Sequence, residues 1–301
     1  MAGPQMPFRF ERTKLLRIRE PDNPTSLKIF CNFVDGQFTK ISQQMTIIFF
    51  TATGNSLSVA KAIGGRLVSV GHILRTRPAE ISDPEGIGIV TPVYNGNLPE
   101  PVELLVRRIG SGELRVDAPY HFAVMTYGEI AGCAVNIFAR LAFSCRLQLH
   151  YLRSIKMVDN NFTVVNVGRQ ICNQLRKHIP EHVDEIVADI SARRIMLEQT
   201  GIVGRMAGPF MGLWRVKDPG RRFSFEREKC NGCGVCADVC PKRNIRLTDR
   251  RPVWGDDCLL CTACYHNCPQ GAVRFYGERS TIQYRNPAVS LREICEANGG
   301  K

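Results

Sequence analysis

Short apolar runs and longer amphipathic stretches alternate from residue 45 onward. Residues 45–50 (MTIIFF), 86–91 (GIGIVT) and 120–126 (YHFAVMT) are continuous apolar runs. Such runs predict strands buried on both faces. Between them, 57–67 places Val59, Ala60, Ile63 and Leu67 at helical spacing, and 131–142 reads as a helix. The last strand is expected within 147–158, followed by one long helix over 167–195. Strands alternating with helices predict an α/β doubly wound parallel sheet over 45–200.

The flanks read differently. Pro4, Pro7, Pro21 and Pro24 break up 1–44, leaving 26–34 as its only strand-like stretch. This segment is expected to be an appended, disordered extension, unless translation begins downstream, near Met45. Glycines with Pro209 and Pro219 mark 201–222 as a linker. Residues 223–278 then form a small α+β domain, opening with Phe223 and Phe225 and containing a hairpin at 245–254. A tail, 279–301, carries a short helix at 290–297 and is expected to pack back on the body.

The loops after the buried strands carry candidate chemistry. The first reads Thr51-Ala52-Thr53-Gly54-Asn55-Ser56 and leads into a helix. Hydroxyls and free backbone N–H groups at a helix N-terminus make an anion site. Without a lysine this is not a Walker loop, and its charge suits a monophosphate held without a metal. The second strand ends in Pro92-Val93-Tyr94-Asn95-Gly96-Asn97, the third in Tyr127-Gly128-Glu129. Ligands of doubly wound sheets bind at strand carboxyl ends, so these loops are expected to meet, with Tyr94 and Tyr127 placed to stack on a flat ring. Asp159-Asn160-Asn161-Phe162 is a further candidate for the rim, an ordinary turn being the alternative. No G-x-G-x-x-G follows any strand.

Eight of the thirteen cysteines fall in two copies of C-x2-C-x2-C-x3-C-P, offset by 28 residues. This is the ligand run of bacterial two-cluster ferredoxins, in which the fourth cysteine of each run serves the other cluster. One [4Fe-4S] cluster is therefore expected on Cys230, Cys233, Cys236 and Cys268, and a second on Cys258, Cys261, Cys264 and Cys240. Zinc is the alternative for C-x2-C pairs, but it does not call for three-plus-one spacing with a following proline. Cys31, Cys133, Cys145, Cys172 and Cys295 remain and read as buried free thiols.

Free thiols and labile clusters point to the cytoplasm. Residues 1–20 lack the apolar core of a leader, and the best membrane candidate, 201–214, is short and contains Arg205. The formal net charge of +12 is uneven: residues 201–301 hold 17 basic and 10 acidic side chains, against 16 and 14 in 45–200. A positive face steers acidic partners such as an acidic ferredoxin or flavodoxin. Nucleic acid fits the charge, but no nucleic-acid module accompanies it.

The T-x-T-G-N-S loop, the P-V-Y-x-G-x-L-P loop and the two cysteine runs, with Tyr284-Arg285-Asn286-Pro287 in the tail, resemble the fused flavodoxin–ferredoxin family called ferrodoxins, found in anaerobic prokaryotes. The resemblance covers about residues 45–301. It implies a flavodoxin-like domain with FMN, then a bacterial 2[4Fe-4S] ferredoxin domain. It leaves the reaction open: an electron carrier joining a two-electron partner to one-electron carriers, or a flavin-dependent reductase of a small organic substrate. For the latter Tyr127, Glu129 and His121 are acid–base candidates by proximity, although His121 is expected within its strand. A redox-sensing regulator is a third reading, which a complete flavin pocket disfavours.

Overall fold

The computed structural model describes residues 45–199 and 218–300. Residues 1–44, the membrane candidate at 201–214 and most of the linker lie outside them.

A six-stranded parallel sheet is built from β1 (Thr46–Phe49), β2 (Arg66–Ser69), β4 (Ile87–Pro92), β6 (His121–Tyr127), β7 (Tyr151–Lys156) and β8 (Met196–Leu197), in the order β2-β1-β4-β6-β7-β8. Two shorter strands, β3 (Glu80–Ser82) and β5 (Arg115–Asp117), pair separately. Among the strands of the main sheet, the chain moves outward from β1 to β2, then crosses back to β4. That is the doubly wound, flavodoxin-like order, with its switch point between β1 and β4. The three apolar runs form the sheet centre. In β1, Ile47 and Phe49 face one core, while Ile48, followed by Phe50, faces the other. Helices α1 (Asn55–Ile63) and α6 (Ile179–Ser191) cover the first face, and α2 (Val70–Thr76), α3 (Glu100–Gly110) and α4 (Ala134–Ser144) the second.

Three sequence expectations are corrected. The first helix stops at Ile63, because Gly64 and Gly65 take φ of 87° and 93°; Leu67 lies in β2 and is exposed. A Cβ on Gly65 would stand 2.1 Å from the Met45 carbonyl oxygen, so the chain can reverse there only with glycine. The expected long helix over 167–195 is three pieces: α5 (Val167–Cys172), a 3-10 turn at Gln174–Lys177, and α6. Pro180 has no N–H to continue the ladder, and His178 before it is left-handed at φ 46°. β7 is not the last strand, since β8 adds to its edge.

The cysteine-rich part shares the first core. β9 (Phe223–Phe225) pairs antiparallel with β12 (Val273–Phe275), and β10 (Ile245–Thr248) with β11 (Arg251–Trp254), the expected hairpin. Short helices α7 (Val235–Asp238) and α8 (Ala263–His266) follow the third-from-last cysteines of the two runs. Phe162 is fully buried, its ring 3.9 Å from that of Tyr265 and 5.6 Å from Phe275. It is therefore an anchor between the two parts and not a rim residue. The tail helix α9 (Leu291–Asn298) opens with a capping box of Ser290 and Glu293, and Lys61 of α1 bonds Glu293 at 2.8 Å.

Candidate functional site

The loop after β1 is shaped by its own residues. Gly54 is left-handed at φ 98° and its N–H donates to Thr51 Oγ1 at 3.1 Å, turning the chain into α1. The first amides of α1 have no intrahelical acceptor. Ser56 Oγ bonds Thr126 Oγ1 at 2.8 Å, joining the loop to the end of β6. The Asn55 side chain is committed elsewhere. Its Oδ1 accepts from the Tyr284 hydroxyl at 2.9 Å and from Asn286 at 3.2 Å, while its Nδ2 donates to the Val158 carbonyl at 3.1 Å.

The second loop is a tight hairpin. Asn95 and Gly96 take φ of 50° and 73°, and Tyr94 and Asn97 exchange backbone bonds at 3.0 and 2.9 Å. Asn-Gly suits such a turn because both central residues need positive φ. The hairpin projects the Tyr94 ring against Phe50, edge to face at 6.3 Å. The Tyr94 hydroxyl is buried without a hydrogen-bond partner among the described residues. Burial pushes its pKa well up, and Cys261 beside it pushes it further. In the third loop, a Cβ on Gly128 would stand 2.2 Å from the Asp159 carboxyl carbon, so a side chain here would have to displace Asp159.

These loops enclose a solvent-open cleft of ≈ 1060 Å³ at the carboxyl ends of β1, β4 and β6. Of the sequence candidates, Thr51, Thr53, Asn55, Ser56, Pro92, Val93, Tyr94, Asn95, Gly96, Tyr127 and Gly128 line it, as do Glu129, Asp159, Asn160 and Asn161. Gly54 and Asn97 are not among the lining residues. His121 lies at the opposite end of β6, its ring 6.1 Å from His150. Glu129 is held by Lys156 at 2.7 Å and Lys177 at 3.1 Å. The Lys156 bond leads in lowering its carboxyl to about 2, against a partial rise from burial. Leu260, Cys261 and Thr262 also line the cleft. Sequence patterning did not mark Leu260 or Thr262 for it, and it marked Cys261 only as a cluster ligand.

The eight motif cysteines gather around two further cavities. Cys230, Cys233, Cys236 and Cys268 line one of ≈ 360 Å³. Cys240, Cys258, Cys261 and Cys264 line another of ≈ 330 Å³. Each group is three cysteines of one run plus the fourth of the other. Backbone N–H groups of Asn244, Leu260 and Ala272 point at the sulfurs of Cys240, Cys258 and Cys268 at 3.3, 3.4 and 3.3 Å. Burial, then the neighbouring Cys268, raises the Cys236 thiol to about 12; burial likewise raises Cys240, Cys258, Cys261 and Cys264. Crowded buried thiols resist ionising until a cation balances them, the donor set an iron–sulfur cluster requires. The Trp254 indole N–H, without an acceptor in ordinary geometry, lies near enough to Cys264 to offset part of that rise. Of the remaining described cysteines, none of them in a disulfide, Cys295 is buried as expected, while Cys133 and Cys145 are half-buried and Cys172 is exposed.

Comparison with known proteins bears on this part directly. Residues 223–246 match the 4Fe-4S binding domain. An uncharacterised ferredoxin of Methanocaldococcus jannaschii is 40% identical over 53 residues, covering 16% of this chain and 69% of that protein. Through these residues the chain belongs to the 4Fe-4S ferredoxins. The ferredoxin module thus binds 4Fe-4S iron, and the zinc alternative falls. Among solved structures, the chain is similar to the Trp repressor binding protein from Bacillus subtilis, at TM-score 0.33 and 10% identity over 48% of this chain and 96% of that one. It is also similar to the flavodiiron protein from Giardia intestinalis, at TM-score 0.33 and 13% identity over 50% of this chain and 36% of that one. Among the described residues no helix is long and apolar enough to cross a membrane.

Proposed function

We propose that the chain is an electron-transfer flavo-iron–sulfur protein, with FMN in the cleft of a domain at 45–200 and two [4Fe-4S] clusters in a domain at 223–278. Cys230, Cys233, Cys236 and Cys268 would hold one cluster, and Cys258, Cys261, Cys264 and Cys240 the other. The observation that carries this reading is a shared wall. Cys261 and Thr262 line both the cleft and the second cysteine cavity. When bound, a flavin exchanges one or two electrons and each cluster one, so the paired sites can join a two-electron partner to one-electron carriers.

The chain's residues have distinct parts in this. The α1 amides and the Thr51 and Thr53 hydroxyls would receive the flavin phosphate, the remaining lining the ring. Tyr94, beside Cys261, would close the gap between ring and cluster. The cluster on Cys258, Cys261, Cys264 and Cys240 is then the one facing the flavin. Cys233 is exposed, which makes the other cluster the outlet. Arg250 and Arg251 hold carbonyls of Asn231 and Cys230 at that outlet, where an acidic ferredoxin or flavodoxin would dock.

A carrier fits better than a reductase with its own organic substrate. Glu129 is held ionised, burial raises the Tyr127 phenol, and His121 is at the wrong end of its strand. None of the three is poised to exchange protons near neutral pH. The deciding experiment is anaerobic purification with iron, sulfide and flavin measured per chain. About eight iron, about eight sulfide and one FMN are expected; cluster-loaded protein that neither retains nor takes up FMN refutes the reading.

A further inference from the structure

The loop after β1 would have to hold a phosphate with its backbone, yet the bonds that orient that backbone come from the far end of the chain. Three successive carbonyls point away from the cleft, each to a different partner. Asn298 Nδ2, in the tail helix, donates to the Thr51 carbonyl at 3.2 Å. Asn267 Nδ2, between His266 and the ligand Cys268, donates to the Ala52 carbonyl at 3.1 Å. The Asn286 N–H donates to the Thr53 carbonyl at 2.8 Å.

These asparagines are built for the task. Asn298 and Asn267 are both 2% exposed, and each ties its amide to its own helix as well, through the Ile294 and Ala263 carbonyls at 3.1 and 2.9 Å. The Asn286 amide also reaches Ser58 Oγ at 3.1 Å. Asn286 packs so closely on the loop that a Cβ on Gly54 would stand 3.0 Å from the Asn286 Cβ. A peptide plane whose carbonyl is held on one side has its N–H directed to the other. Locking the Thr51 and Ala52 carbonyls toward the ferredoxin module and tail therefore aims the Ala52 and Thr53 amides at the cleft before a ligand arrives, while the Gly54 amide, in the peptide plane of the Thr53 carbonyl, is held by Thr51 Oγ1 and fixes the turn.

We propose that Asn267, Asn286 and Asn298 are positioning residues for the flavin phosphate, so that the ferredoxin module and tail complete the phosphate site of the other domain. The proposal rests on the flavin reading above and adds to it the residues that set phosphate affinity. It also couples the two cofactors, because Asn267 is one residue from Cys268 and moves with that ligand.

The test uses the full chain, anaerobic and cluster-loaded, as wild type and as Asn298→Asp and Asn267→Asp. These substitutions keep shape but replace the donor with an acceptor facing a carbonyl. Flavin fluorescence titrations with FMN and with riboflavin, which lacks the phosphate, are run in parallel at matched iron content. FMN binding is expected to weaken by about tenfold in each variant, and riboflavin binding to change by less than about twofold, since the ring pocket is untouched. A general structural role would weaken both together, and that result overturns the proposal. FMN affinity unchanged in both variants overturns it as well. A wild type that binds neither ligand overturns the flavin reading itself, and is distinguishable because the other two outcomes require wild-type FMN binding. Should Asn298→Asp fail to accumulate, Asn298→Ala, which only deletes the donor, must show the same selective loss of FMN.

Discussion

Replacing Leu260 with glycine separates a cleft wall from a core side chain. Leu260 and Thr262 sit at φ of 51° and 62°, where the first cysteine run, 28 residues earlier, has Gly232 and Gly234 at 73° and 84°. A left-handed non-glycine residue costs roughly 1–2 kcal/mol, which Leu260→Gly returns. Glycine adds about 0.5–1 kcal/mol of unfolded-chain freedom. Losing a partly buried leucine costs about 1 kcal/mol, half or less of the full value. These contributions nearly cancel, so the melting midpoint should move by under about 4 °C. The cleft, however, loses a wall: about 40 Å² of apolar contact with a ligand is worth ~1 kcal/mol, or roughly fivefold in affinity. Circular-dichroism melting and FMN fluorescence titration of cluster-loaded protein measure the two sides. FMN affinity unchanged within twofold, or a large fall in stability with FMN following only in step, refutes the reasoning. Gly232→Leu is the converse control: its Cβ would stand 2.6 Å from the Arg250 carbonyl oxygen, so it should be costly without touching FMN affinity.

Cross-ligation predicts that Cys268→Ala, although in the second run, removes the same electron paramagnetic resonance signal as Cys233→Ala and halves the iron; loss of a different signal contradicts the assignment. Gly54→Ala should cost about 1–2 kcal/mol and release FMN on gel filtration, because φ is 98° and both Asn286 and Val289 stand 3.0 Å from the new Cβ. Glu129, lowered to about 2 by Lys156 and Lys177, contributes stability that is complete above its ordinary 4.5 and lost as pH falls toward 2. The stability gap between wild type and Glu129→Gln should therefore be open above pH 4.5 and close toward pH 2 in acid titrations followed by circular dichroism.

The strands at the sheet centre were legible because burial on both faces leaves an unbroken apolar run, as in Ile47, Ile48, Phe49 and Phe50. The helix ends were not. Leu67 continues the spacing of Val59 and Ile63, and only the paired Gly64 and Gly65 show that the chain has already reversed. Across 167–195 the apolar spacing survives Pro180, so period alone hides the break. The four cleft loops were legible from their position at strand ends. The wall made by Leu260 and Thr262 shows no periodic signal, but it does break the repeat: Asn231-Gly232-Cys233-Gly234 becomes Leu259-Leu260-Cys261-Thr262. Asn267 and Asn298 are legible in no local pattern, and the tail motif marks Asn286 without showing what it holds, because their partners lie more than 200 residues away and any asparagine could cap a turn or a helix end instead.

That separation has a consequence for synthesis. Thr51 and Asn298 are 247 residues apart. At about 5–20 residues per second, the β1 loop leaves the ribosome roughly 10–50 s before the side chain that holds its first carbonyl. The sheet can form in that interval, but the phosphate loop cannot take its final shape. On the proposed reading, a nascent chain has no finished flavin site until the cysteine runs and tail have emerged, and cofactor loading would fall after translation, when both redox centres can be filled together.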